Sequence, residues 1–155
     1  MGFMDKMMGL GGAASDSKKQ EIRDIFNAKV ENGESYQVLA AMYLLTEKKL
    51  LKEVRTYFNY IIGYRDGDDP EMVIITTDHE LSVSEEPVLC KKSECLATKY
   101  LEKTGSFEIT HPGLGGKPFE FGIITSTAWG GYIIAVSYVD EYLPFMEFFR
   151  NRFSK

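Results

Sequence analysis

Two cysteines and two histidines are the residues of this 155-residue chain that could make and break covalent bonds. Cys90 or Cys95 would become a nucleophile if His79 or His111 held its thiol as thiolate, because the thiolate is the reactive form. Neither cysteine stands in a recognisable nucleophile turn, and a lone thiol of that kind behaves as a small buried hydrophobe. Their spacing matches neither a structural zinc site nor a thioredoxin-like redox pair. Both read as reduced thiols of a cytoplasmic protein.

The run His111, Pro112, Gly113, Leu114, Gly115, Gly116, Lys117 has the glycines and lysine of a phosphate loop. His111 occupies the leading glycine position, however, and Pro118 stands where Ser or Thr would hold magnesium, so a hairpin connection accounts for it better. Asp66, Gly67, Asp68 and Asp69 lack the alternating ligands and terminal Glu of a calcium loop and read as a solvated turn. No catalytic residue, cofactor site or metal site is therefore assigned. The densest cationic stretch, Lys48, Lys49, Lys52 and Arg55, is the candidate contact for an anionic ligand or lipid, with Lys91 and Lys92 a second pair. Interspersed Glu47 and Glu53 blunt it, as on an ordinary solvated face. Trp129, beside Gly130 in a turn, is a candidate docking residue that could equally fold back over a sheet edge.

Composition places these residues on an ordinary folded domain. With 44% hydrophobic and 26% charged residues, the chain is too apolar for a disordered protein. At about 150 residues a single domain buries roughly 70% of its unfolded surface. Ten Phe and nine Tyr favour strands. The net charge of -5, without a strongly basic run, argues against nucleic acid. No apolar run approaches the roughly 20 residues of a membrane span, and the N-terminus carries Asp5 without a signal-peptide hydrophobic region.

Residues 1–14 read as a flexible head. Phe3, Met4, Met7, Met8 and Leu10 recur at near-helical spacing before Gly9, Gly11 and Gly12, which suits either a docking helix or a frayed end. Residues 15–155 read as one α+β domain. Ser17 and Gln20 have the form of a capping box that starts a helix through Ile22, Ile25, Phe26 and Val30, stopped by Gly33. Ser35 to Arg55 is ambiguous between strand and helix; a strand followed by a charged turn or short helix is favoured. Strands are expected at Tyr57 to Tyr64, Met72 to Thr77, Leu81 to Ser84, Leu96 to Leu101, Ser106 to Thr110 and Phe119 to Ile123. Tyr132 to Val139, apolar on both faces, is expected to be a doubly covered strand. Pro144 suits a first helical turn, and Tyr142, Phe145, Met146, Phe149 and Phe153 form the stripe of a closing amphipathic helix.

Short strands in this order, ending in an aromatic amphipathic helix, resemble the pleckstrin-homology superfold. More particularly, the head Met1 to Gly9, the Met72 to Leu81 strand and turn, and the Gly105 to Phe121 hairpin resemble the bacterial pleckstrin-homology-like proteins. The resemblance spans Tyr36 to Lys155. It implies a bent antiparallel sheet or partly open barrel of about seven strands, capped by the C-terminal helix, here with an extra N-terminal helix. It further implies a non-catalytic interaction module that binds a protein partner, self-associates as an oligomer, or sits peripherally at the inner membrane face. Eukaryotic lipid-binding members carry basic residues on the first hairpin, and the match here is Lys48 to Arg55. The alternative is a cystatin-like or nuclear-transport-factor-like α+β domain that binds or hydrolyses a small molecule with His79 or His111.

Overall fold

The computed structural model describes residues 3–128 and 130–155, with side chains from Ala14 onward. Helix α1 (Phe3–Lys29) is followed by strands β1 (Gln37–Lys49), β2 (Lys52–Arg65), β3 (Glu71–Thr77), β4 (Val88–Lys91), β5 (Ala97–Leu101), β6 (Ser106–Thr110) and β7 (Pro118–Ile123), then by helix α2 (Val139–Phe148) and a π-helical turn, Phe149–Phe153. The seven strands form one antiparallel sheet in the order β4-β3-β2-β1-β7-β6-β5. It curls into a half-barrel with α2 at its open end, an α+β fold of pleckstrin-homology-like type.

Alternation along the strands gives the sheet two buried faces. Tyr60 and Tyr64 point inward, Tyr60 against Phe119 at 4.9 Å between ring centroids and Tyr64 against Phe145 at 5.1 Å. Phe107 lies at the centre of that side, packed edge-on against both Phe145 and Phe149 of the closing helix. Phe145, Phe149 and Phe153 are completely buried, as their stripe requires. On the outer face α1 lays Ile22 and Phe26 over β1 and β2. Gly63 permits this, since a Cβ there would stand only 2.1 Å from Phe26 Cζ. Lys19 ties α1 to α2 through both carboxylate oxygens of Glu141 at 3.0 Å.

Several expectations are corrected. Ser17 and Gln20 lie inside α1, where the Gln20 amide donates to Asp24, so they do not start the helix. Tyr132 to Val139 is not a strand: its apolar residues Ile133, Ile134, Val136 and Tyr138 are buried because the segment crosses the outer face. Asn59 fixes it there, donating to the Tyr132 carbonyl and accepting from the Ile134 N–H, both at 3.0 Å. Leu81 to Ser84 contributes only a single bridge, Thr77 to Val83. Pro144 sits in the interior of α2, which begins five residues earlier at Val139. Lys48 to Arg55 is neither a turn nor a helix but strand, two-residue bend and strand.

Candidate functional site: the first hairpin and the cleft beside it

Strands β1 and β2 pair along their whole length, from Gln37 with Tyr64 to Lys49 with Lys52, whereas their outer neighbours do not follow them. Pairing of β3 with β2 stops at Asn59, and pairing of β7 with β1 covers only Ala41 with Ile123 and Met42 with Gly122. Residues 43–58 therefore extend past the sheet as a two-stranded ribbon. An isolated hairpin is marginal in water, so its root needs packing. Tyr57 supplies some by stacking on Tyr132 at 4.8 Å, and Tyr43 meets Phe58 at 6.4 Å.

The bend is Leu50 and Leu51, at 104% and 103% of reference exposure. Two-residue hairpin bends favour Asn-Gly or Asp-Gly because the turn needs positive φ. Here Leu50 takes that conformation, at φ 55°. A left-handed residue with a Cβ costs about 1–2 kcal/mol. The bend thus holds an apolar side chain in water and strains the backbone to do so.

Strand pleating divides the four cations. Lys48 and Arg55 lie on the outer side of the ribbon, while Lys49 and Lys52 lie directly opposite each other on the inner side. Glu47 approaches Lys49 at 3.7 Å and Glu53 approaches Arg55 at 3.0 Å. Lys48 and Lys52 have no carboxylate partner among the described residues. The four residues consequently ring the bend on both sides of the two leucines, and do not form one flat cationic face. Lys91 ends β4 and Lys92 opens the following helical turn, on the opposite edge of the sheet order.

Beside the ribbon, where β7 parts from β1, lies an open cleft of about 640 Å³. Met42 and Leu44 of β1, Glu120 and Gly122 of β7, and Val139 and Tyr142 of α2 line it. Glu120 stands directly across from Glu108 of β6, and neither carboxylate has a cationic partner among the described residues. Like charges facing one another across strands are unfavourable.

The residues weighed for catalysis do not assemble. His79 lies exposed in the turn after β3, 3.5 Å from Glu80, while His111 is buried at the end of β6. The Gly113 N–H donates to His111 Nδ1 at 2.9 Å, which leaves the ring proton on Nε2, a buried atom without a hydrogen-bond partner. Burial pushes the Cys90 thiol up to about 12 and the Cys95 thiol up to about 11, away from thiolate. The glycine loop spends its amides internally: Leu114 and Gly116 donate to the His111 carbonyl and Gly115 to that of Pro112. Asp66 is held by Arg152 at 2.9 Å, and Asp69 accepts from the Ser93 N–H at 3.0 Å, so both carboxylates tie the C-terminal region and the β4–β5 connection to this turn. No group of three metal-ligating side chains exists among the described residues.

Another polar cluster is structural. Buried Glu71 accepts from the Tyr36 hydroxyl at 2.8 Å and pairs with Arg65, whose guanidinium covers the Tyr36 ring at 4.4 Å. Burial, reinforced by Glu71, pushes the Tyr36 phenol up to about 12. Trp129 and the side chains of Phe3, Met4, Met7 and Met8, the expected docking residues, lie outside the described residues. The leucine bend was not singled out from the sequence; the signal for it was two strand-capable runs separated by two residues.

Hairpin, cleft and closing helix define an α+β pleckstrin-homology-like domain with an exposed apolar bend. No family model matches the chain, and no curated protein or solved structure does so. No described helix is long and apolar enough to cross a membrane.

Proposed function

We propose that this protein is a non-catalytic interaction module of the bacterial pleckstrin-homology-like type that docks peripherally on an anionic membrane surface, at the cytoplasmic face, through the bend of its first hairpin. The observation that carries this reading is the pair Leu50 and Leu51, fully exposed at the end of a projecting ribbon and ringed by Lys48, Lys49, Lys52 and Arg55. Turn geometry favours Asn or Gly at Leu50, so an apolar residue there needs another reason. Entry into the headgroup boundary supplies one.

The magnitudes suit reversible binding. Burying a leucine side chain contributes about 1.5–3 kcal/mol, and each cation near an anionic surface about 1 kcal/mol. Glu47 and Glu53 offset part of the charge term. Association itself costs about 4 kcal/mol or more, which leaves a weak and salt-sensitive interaction.

Flotation with vesicles of phosphatidylglycerol and phosphatidylethanolamine tests it. Wild-type protein rises with the vesicles at low salt, less at high salt, and not with purely zwitterionic vesicles. A Leu50→Asn, Leu51→Asn variant stays at the bottom. Absence of flotation at low salt would leave a protein partner as the occupant of the hairpin.

A further inference from the structure

We infer that the free edge of β1 pairs, in solution, with the β1 edge of a second copy of this chain, so that each hairpin bend is sheltered in the cleft of its partner. From Tyr43 to Lys49, β1 is hydrogen-bonded to β2 on one side and has no strand on the other. Natural edges are blunted by proline, bulges, inward charges or a covering element. This one continues in unbroken register with β2, begins Tyr43, Leu44, Leu45, and carries its lysines only at the far end. It is a template for another strand, and the chain itself supplies one that fits.

The register follows from geometry. Two identical strands related by a twofold axis normal to the sheet run antiparallel, and a residue on the axis faces its own copy. The free stretch has Thr46 at its midpoint, so placing Thr46 on the axis pairs the whole stretch. Leu44 then faces the partner's Lys48, Leu45 faces the partner's Glu47, and Tyr43 faces the partner's Lys49. No like charges meet across this pairing, whereas centring on Glu47 or Lys48 would oppose identical charges. Centring on Leu45 would drive the partner's strand into Met42 and Ala41, already paired with β7.

The same register carries each bend to the cleft. Leu50 of the partner subunit arrives beside Met42, where β1 and β7 part, and the cleft there is walled by Leu44, Gly122 and Val139. The cations around the bend approach the wall that holds Glu120, whose carboxylate faces Glu108 without a cation. Knob and recess thus match in polarity as well as in place. Because the paired ribbons hide the leucines, the dimer and the membrane-bound form exclude each other; only this last point rests on the membrane reading.

Sedimentation equilibrium on the full chain over about 1 to 500 µM tests the pairing, since an interface of this small size belongs in the micromolar range or weaker. Thr46 is exposed, so its substitution leaves the fold intact. Wild type should show a monomer–dimer equilibrium, and Thr46→Arg, which sets two cations at the axis, should weaken it at least tenfold with an unchanged circular dichroism spectrum. Thr46→Cys should cross-link to dimer with a short bis-maleimide, whereas Glu34→Cys should not; the native thiols are buried. A wild type monomeric throughout the range, or a dimer unaffected by Thr46→Arg and not cross-linked through Thr46→Cys, overturns the inference. Flotation separates the two readings: the cross-linked dimer should fail to float, while Thr46→Arg, with its bend intact, should float at least as well as wild type. A confirmed dimer whose Thr46→Arg monomer never floats overturns the membrane reading alone, and a cross-linked dimer that floats overturns the mutual exclusion.

Discussion

Replacing Leu50 by Asn should make the hairpin more stable and the protein worse at its work, and these opposite signs separate a functional residue from a structural one. Leu50 holds φ at 55° with its side chain fully in water, so the folded state loses no packing when the side chain is shortened. Asn is among the few residues with a Cβ that tolerate this conformation, and relief of about 1 kcal/mol raises the closed-to-open ratio of the ribbon about fivefold. Hydrogen exchange of the amides in residues 43–58 should slow by that factor. Affinity for anionic vesicles should move the other way. Loss of one inserted leucine removes about 1.5–3 kcal/mol, or roughly 10- to 100-fold in the partition constant. Measured by centrifugation against increasing lipid, Leu50→Asn should need correspondingly more lipid for half-binding. Equal partitioning of variant and wild type would refute the reasoning, as would slower exchange in wild type than in the variant.

Three further outcomes follow from the packing and the charges. Gly63→Ala forces a methyl into the Phe26 ring and should cost about 1–3 kcal/mol in urea denaturation; unchanged stability would mean α1 is not seated on β2. Cys90 and Cys95 should resist iodoacetamide at pH 7.5 until the protein is denatured, because burial holds both thiols far above that pH, and rapid labelling of the native protein would reopen the thiol-nucleophile reading. The Arg152 guanidinium and the Gly67 N–H hold the Asp66 carboxyl below the usual carboxylate range. A group depressed in the folded state stabilises above its unfolded value and loses that contribution as pH falls through the folded one, so wild type should weaken below about pH 4 and Asp66→Asn should show a shallower acid limb in thermal melts.

The parts of the fold legible in the sequence are those where one residue pattern has one physical reading. The stripe of Phe145, Phe149 and Phe153 could only be a buried helical face, and Phe121 and Ile123, alternating with Glu120 and Gly122, could only be a strand with one apolar side. Burial without pairing misled at Tyr132 to Val139: an apolar segment docked on a sheet face has the composition of a central strand, and what keeps it irregular is Asn59, distant in sequence. Strand β4 escaped notice because only Cys90 of its four residues is buried, which leaves no period to read. The hairpin bend was hidden for the opposite reason. It lacks the Asn or Gly that marks such turns, and the absence that concealed it from sequence reasoning is what makes it the candidate site. The cations Lys48, Lys49, Lys52 and Arg55 were visible as a cluster, but their division between two faces depends on register, which composition does not encode.

Depth measurement at the bend tests membrane docking most directly. A nitroxide attached to Leu51→Cys labels one site, since Cys90 and Cys95 are buried. With phosphatidylglycerol-containing vesicles, relaxation by oxygen should increase and relaxation by a water-soluble nickel complex should fall, placing the label beneath the phosphate level, while a control label at Glu34→Cys stays in water. A label at the bend that remains fully accessible to nickel while the protein sediments with the vesicles would contradict the account, because the protein would then be held to the surface by some other part of the chain.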